Sequence, residues 1–164
     1  MLNFFQLFNI VPSYNVNIQQ INDTFLQLQK KHHPDTSANN LSLSADGVVM
    51  SSIVNQAYET LSCNLKRAMY VIKIWYVVDI ATQQSTIVNN NMMEQILNLQ
   101  MELAQIAGNA AMLATFSSKI TTQIKLIEQE LQNLLEKQNI LTKDICITKV
   151  IELKFYHSIL NKIY

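Results

Sequence analysis

Residues 27–35 read QLQKKHHPD, and the way this stretch ends decides how the chain around it folds. Ile18, Ile21, Phe25, Leu28 and His32 recur at steps of 3, 4, 3 and 4. That stripe predicts one helix over about residues 17–32. Pro34 has a fixed φ and pushes His33 out of the helical region, so the helix must stop there. The next stretch, HPDTSANNLSLSADG at 33–47, is polar and rich in Ser, Asn and Asp, and reads as a long exposed loop. A second helix begins either near Leu41, with Gly47 inside it at a cost of about 1 kcal/mol, or only after Gly47.

Working outward, the period stays helical. Met50, Ile53, Val54, Ala57 and Leu61 mark a helix that ends near Cys63, and Leu65, Met69, Ile72 and Tyr76 mark another. A short opening helix is predicted from Phe4 to Phe8, stopped by Pro12. The polar run ATQQSTIVNNN at 81–91 marks a domain boundary, and three further helices are predicted beyond it. The first spans about 92–106. The second carries Leu113, Phe116, Ile120, Ile124, Ile127, Leu131 and Leu134 on one stripe. The third, about 142–163, has two adjacent apolar rows: Cys146, Val150, Leu153, His157 and Leu160, then Ile147, Ile151, Phe155, Ile159 and Ile163. Two rows are more than a simple surface helix needs, so this helix either packs against two elements or keeps part of a row for a partner. With no strand pattern anywhere, the class is all-α.

Composition narrows the function. The 164 residues carry 12 basic and 12 acidic side chains, for a net charge of zero, and a single arginine, Arg67. Both facts argue against a nucleic-acid binder. Half the residues are apolar, enough to build a core and to argue against a disordered chain. Two Gly and two Pro leave no room for a Gly-rich phosphate loop or for the turns of a sandwich or barrel. Cys63 and Cys146 lie far apart without metal-ligand spacing, so two reduced thiols and no metal or cofactor are expected. The opening MLNFFQLFNI has no Lys or Arg ahead of its apolar residues, unlike a signal peptide. The most apolar stretch, VIKIWYVVDIA at 71–81, is interrupted by Lys73 and Asp79 and is too short to span a bilayer. A cytoplasmic location away from membranes is expected. The 17 Asn, 19 Ile and 11 Lys suggest an A/T-rich genome, in which many of these choices reflect drift.

The motifs, in order, are FFQLFNI at 4–10, HPD at 33–35, NQAYETL at 55–61 and LKRAMY at 65–70. Their order and spacing resemble a J-domain over about residues 2–78. NFFQLFNIVPSYNVN at 3–17 is similar to the start of the HscB type, and no Gly-rich segment follows the J-like part, unlike general J-proteins. MMEQILNLQMEL at 92–103 and ELKFYHSIL at 152–160 resemble HscB segments too, so the likeness runs nearly end to end. It implies a J-domain at 1–78, an antiparallel helix hairpin with an HPD loop, then a linker at 79–91. The J-domain would be packed on a C-terminal three-helix scaffold-binding domain at 92–164. It further implies a co-chaperone with no bond chemistry of its own. Such a protein stimulates the ATPase of a specialised Hsp70, HscA, and delivers the iron–sulfur scaffold IscU to it.

On that likeness, His33, Pro34 and Asp35, with Lys30 and Lys31 on the helix before them, are the Hsp70-binding residues. The chemistry agrees: Asp35 can accept a bidentate arginine, His33 offers a ring donor and acceptor, and the lysines suit an acidic patch. Two lysines on a solvated helix face are otherwise ordinary. Scaffold binding falls to Met93, Leu97, Met101 and Phe155, for which ordinary core packing is the competing reading. Asn98 and Met101 stand where the family tends to have Glu, which thins the acidic part of that face. An enzyme using His33 and Asp35 as an acid–base pair lacks a nucleophile and oxyanion donors nearby. The remaining rival is a J-domain co-chaperone of a general Hsp70, DnaK, whose bundle holds a different client.

Overall fold

The computed structural model describes residues 3–32, 45–80, 82, 90–137 and 139–163, and every regular element among them is helical. In chain order these are α1 (Phe4–Leu7), α2 (Ile18–His32), α3 (Ala45–Ser62), α4 (Asn64–Tyr76), α5 (Asn90–Gln105), α6 (Ala110–Glu136), a 3₁₀ turn (Ile140–Thr142) and α7 (Lys143–Leu160). The chain separates into two compact units, Met1–Val71 and Ile72–Tyr164, and the division falls inside α4.

The first unit is built on the α2–α3 pair, with α1 laid against α3. The predicted helix at 17–32 is α2, and its Phe25 stacks on Tyr58 of α3 at 4.0 Å between ring centres. The Tyr58 hydroxyl donates to Oδ1 of Asn22, 3.1 Å away, which fixes the rotation of α2 about its own axis. Gly47 lies inside α3, the first of the two alternatives the sequence allows. Asn3 caps α1 by accepting the Phe5 amide at 2.9 Å, and the Phe4 amide donates to the Tyr70 hydroxyl at 2.9 Å. Phe5, Phe8, Ile21, Ala57 and Leu61 are fully buried here, each large side chain contributing about 1.5–3 kcal/mol.

Pro12 does not stop α1. The helix ends at Leu7 because Asn9 turns left-handed, at φ 53°. The Ile10 amide then reaches back to the Phe5 carbonyl and the Asn9 amide to that of Gln6, the pair of bonds that closes a Schellman turn. The stripe predicted on α4 is also rotated. Ala68, Val71 and Ile72 are the buried apolar positions, together with Arg67, while Leu65, Met69 and Tyr76 are half-buried.

In the second unit α7 packs against both α6 and α5. That answers why it has two apolar rows: Cys146, Val150 and Leu153 of one and Ile147, Ile151 and Ile159 of the other are all buried. The α6 stripe holds to its end with one change. Its last core residue is Leu135 rather than Leu134, four residues after Leu131 instead of three. Asn109 caps α6 by accepting the Met112 amide at 3.1 Å, and Asn139 caps the 3₁₀ turn by accepting the Leu141 amide at 3.0 Å. Gly108, at φ +88°, supplies the left-handed step between α5 and α6. Val77, just past α4, takes φ 55° although it is β-branched and 89% exposed. Among the described residues no helix is long and apolar enough to cross a membrane.

Candidate functional site

Two surfaces carry the residues singled out in the sequence. On the first unit, the Phe25–Tyr58 stack and the buried Ile21 set which side of α2 faces α3. Lys30 and Lys31 are exposed in its last turn. His33, Pro34 and Asp35 lie outside the described residues.

Behind this hairpin sits a group that periodicity alone does not single out. Arg67 is 5% exposed, and its guanidinium reaches three parts of the unit. Nε donates to the Tyr14 carbonyl at 2.7 Å, one terminal nitrogen donates to the Leu61 carbonyl, and the other donates to Oδ1 of Asn64 at 2.6 Å. The segment after α1, the end of α3 and the start of α4 are thereby held by one planar cation. The only sequence signal for it is its place in LKRAMY, which marks the residue without saying that it is buried.

The second surface is on α5. Met92 and Ile96 are buried, and Leu99 and Leu103 half-buried, on its inner side. Met93, Leu97 and Met101 recur at steps of four and are 55%, 54% and 52% exposed. Adjacent residues differ by about 100° around a helix, so this row stands beside the buried side rather than within it. More than half of each side chain faces water, and ordinary core packing does not account for them.

Phe155 is placed differently. It is half-buried in a groove between α5 and α7, lined by Met92, Gln95, Ile96, Leu99, Tyr156 and Ile159, with about 10 Å³ left free. That room holds one water at most. The structure therefore gathers Met93, Leu97 and Met101 into one open row and sets Phe155 in the neighbouring groove. Burial pushes the hydroxyl of adjacent Tyr156 above its ordinary pKa, as Glu152 also does.

Three carboxylates of this region are engaged. Glu102 of α5 holds Lys119 of α6 at 2.8 Å, and Glu152 and Glu130 share Lys149 at 3.2 and 2.8 Å. Burial works to lower the Lys149 pKa, yet hydrogen bonds to Glu130 and Glu152 outweigh it and leave it raised. Sequence reasoning misses a further hollow of about 330 Å³, lined by Gln100, Leu103, Ala104, Gly108, Leu113 and Ile163 among others. Its residues come from 100–113 and from 162–163, far apart in sequence, and no local pattern announces it. Among the described residues no three His, Cys, Asp or Glu side chains are grouped to hold a metal ion.

Residues 88–164 match the family model described as the HSCB C-terminal oligomerisation domain. The chain is also 26% identical over 162 residues to the HscB co-chaperone homolog of Colwellia psychrerythraea strain 34H, covering 96% of this chain and 92% of that one. Along nearly its whole length the chain is similar to HscB co-chaperones. The homolog from Aeromonas salmonicida strain A449 is similar at 29% identity over 168 residues, covering 99% and 94% of the two chains. The crystal structure of the human co-chaperone HscB superimposes with a TM-score of 0.88 at 21% identity, over 99% of this chain and 81% of that one. That likeness speaks for the fold: an N-terminal J-type helix hairpin followed by a C-terminal helical bundle. The curated relatives it matches are named as co-chaperones.

Proposed function

We propose that this HscB-type chain stimulates the ATPase of the Hsp70 HscA and delivers the iron–sulfur scaffold IscU to it, promoting cluster assembly and transfer. The observation that carries the delivery half is the open row Met93, Leu97 and Met101, three large apolar side chains kept in water on a helix whose other side is core. Large aliphatic and thioether groups held at a surface are what a protein client would bury. In this reading Phe155 lies at the edge of the docking face, and residues 92–164 form the client-binding domain behind a linker at 79–91.

The Hsp70 contact is assigned to His33, Pro34 and Asp35, with Lys30 and Lys31 adding positive charge on α2. Asp35 would accept an arginine of the chaperone, and Pro34 would keep that carboxylate at a fixed place past the helix end. Joining the two surfaces in one chain raises the client's effective concentration at the Hsp70, which is how delivery gains over free encounter. The protein would work in the cytoplasm, without nucleic acid or membrane.

The test is a steady-state ATPase assay with HscA, with and without IscU. Asp35→Asn should abolish stimulation while the circular dichroism spectrum stays unchanged, since it removes a charge-assisted contact worth roughly 1.5–3 kcal/mol. Leu97→Ser should keep the stimulation seen without IscU and lose the extra gain that IscU brings. If instead DnaK is stimulated and IscU adds nothing, the chain serves a general Hsp70 with another client.

A further inference from the structure

We draw no further inference here: the strongest candidate, the hollow in the second unit lined by the end of α5, Leu113 of α6 and Lys162 and Ile163 just past α7, is walled mostly by apolar and small side chains around one exposed lysine, and nothing in the structure shows what covers it.

Discussion

Arg67 lies with its guanidinium carbon 5.3 Å from the centre of the Tyr14 ring while its Nε donates to the carbonyl of that same residue. One side chain thus grips both the ring and the backbone of Tyr14, which is itself buried. The remaining nitrogens of the fork bind at the junction of α3 and α4, at Leu61 and Asn64. A lysine has the charge but not the planar fork. Arg67→Lys should therefore lower the stability of the first unit by about 2–3 kcal/mol, by leaving buried acceptors unpaired. Urea unfolding followed at far-ultraviolet wavelengths would show it as an earlier transition. An unchanged midpoint would mean that the fork is dispensable.

Leu97 and Phe155, assigned to one docking face, should part company in a thermal melt. Leu97 is more than half exposed, and Leu97→Ser should change stability by no more than about 0.5 kcal/mol. Phe155 is half-buried in a nearly filled groove, and Phe155→Ser should cost about 1–3 kcal/mol, less than a fully buried Phe and far more than a surface residue. If the two melts coincide with wild type, the groove closes over the missing ring.

The two cysteines should differ in reactivity. Burial drives the Cys146 thiol above its ordinary value of 9.0, against opposing hydrogen bonds that include one with Thr142, and the residue has no exposed surface. Cys63 is only half-buried. A raised pKa means less thiolate at neutral pH, and the thiolate is the reactive form. An aromatic disulfide reagent at pH 7.5 should label one thiol in the folded chain, and the second only after denaturant is added. Mass spectrometry identifies which. Labelling of Cys146 at the same rate as Cys63 would contradict the buried position.

Val77 sits at φ 55° with almost all of its side chain in water, so nothing it touches offsets the clash between its branched Cβ and its own backbone. Such a conformation costs roughly 1–2 kcal/mol for a residue with a side chain. Val77→Gly should raise the melting temperature, the relieved strain exceeding the entropy that glycine adds to the unfolded chain. Val77→Ala, which keeps the Cβ, should recover little of that gain. A lower melting temperature for the glycine variant would show that the strain is smaller than the entropy.

Much of this architecture is legible in the residues themselves. The α6 stripe is a long 3–4 repeat with no competing pattern. It misleads only at its last step, where Leu134 and Leu135 are equally apolar and packing alone chooses between them. At the end of α1, Pro12 is the conspicuous breaker, yet Asn9 ends the helix through a backbone angle that asparagine tolerates. On the proposed docking face, the exposed Met93, Leu97 and Met101 recur at steps of four beside Met92 and Ile96, which are buried. Phe155 is not readable in that way. Both rows of α7 are apolar, so only its neighbours on α5 decide how much of it is covered. The burial of Arg67 has no local signature at all, since its three acceptors come from residues 3 to 53 positions away.

The capping asparagines have a consequence for how such a sequence changes over time. A gene drifting toward A/T-rich codons gains asparagine wherever selection lets it. Inside a helix that residue costs about 0.7 kcal/mol relative to alanine, yet at the position just before a helix it is favoured by about 1 kcal/mol. Asn3, Asn109 and Asn139 each occupy such a position. At these joints mutational pressure and folding stability pull in the same direction, so substitutions toward asparagine can accumulate there without eroding the helices they cap.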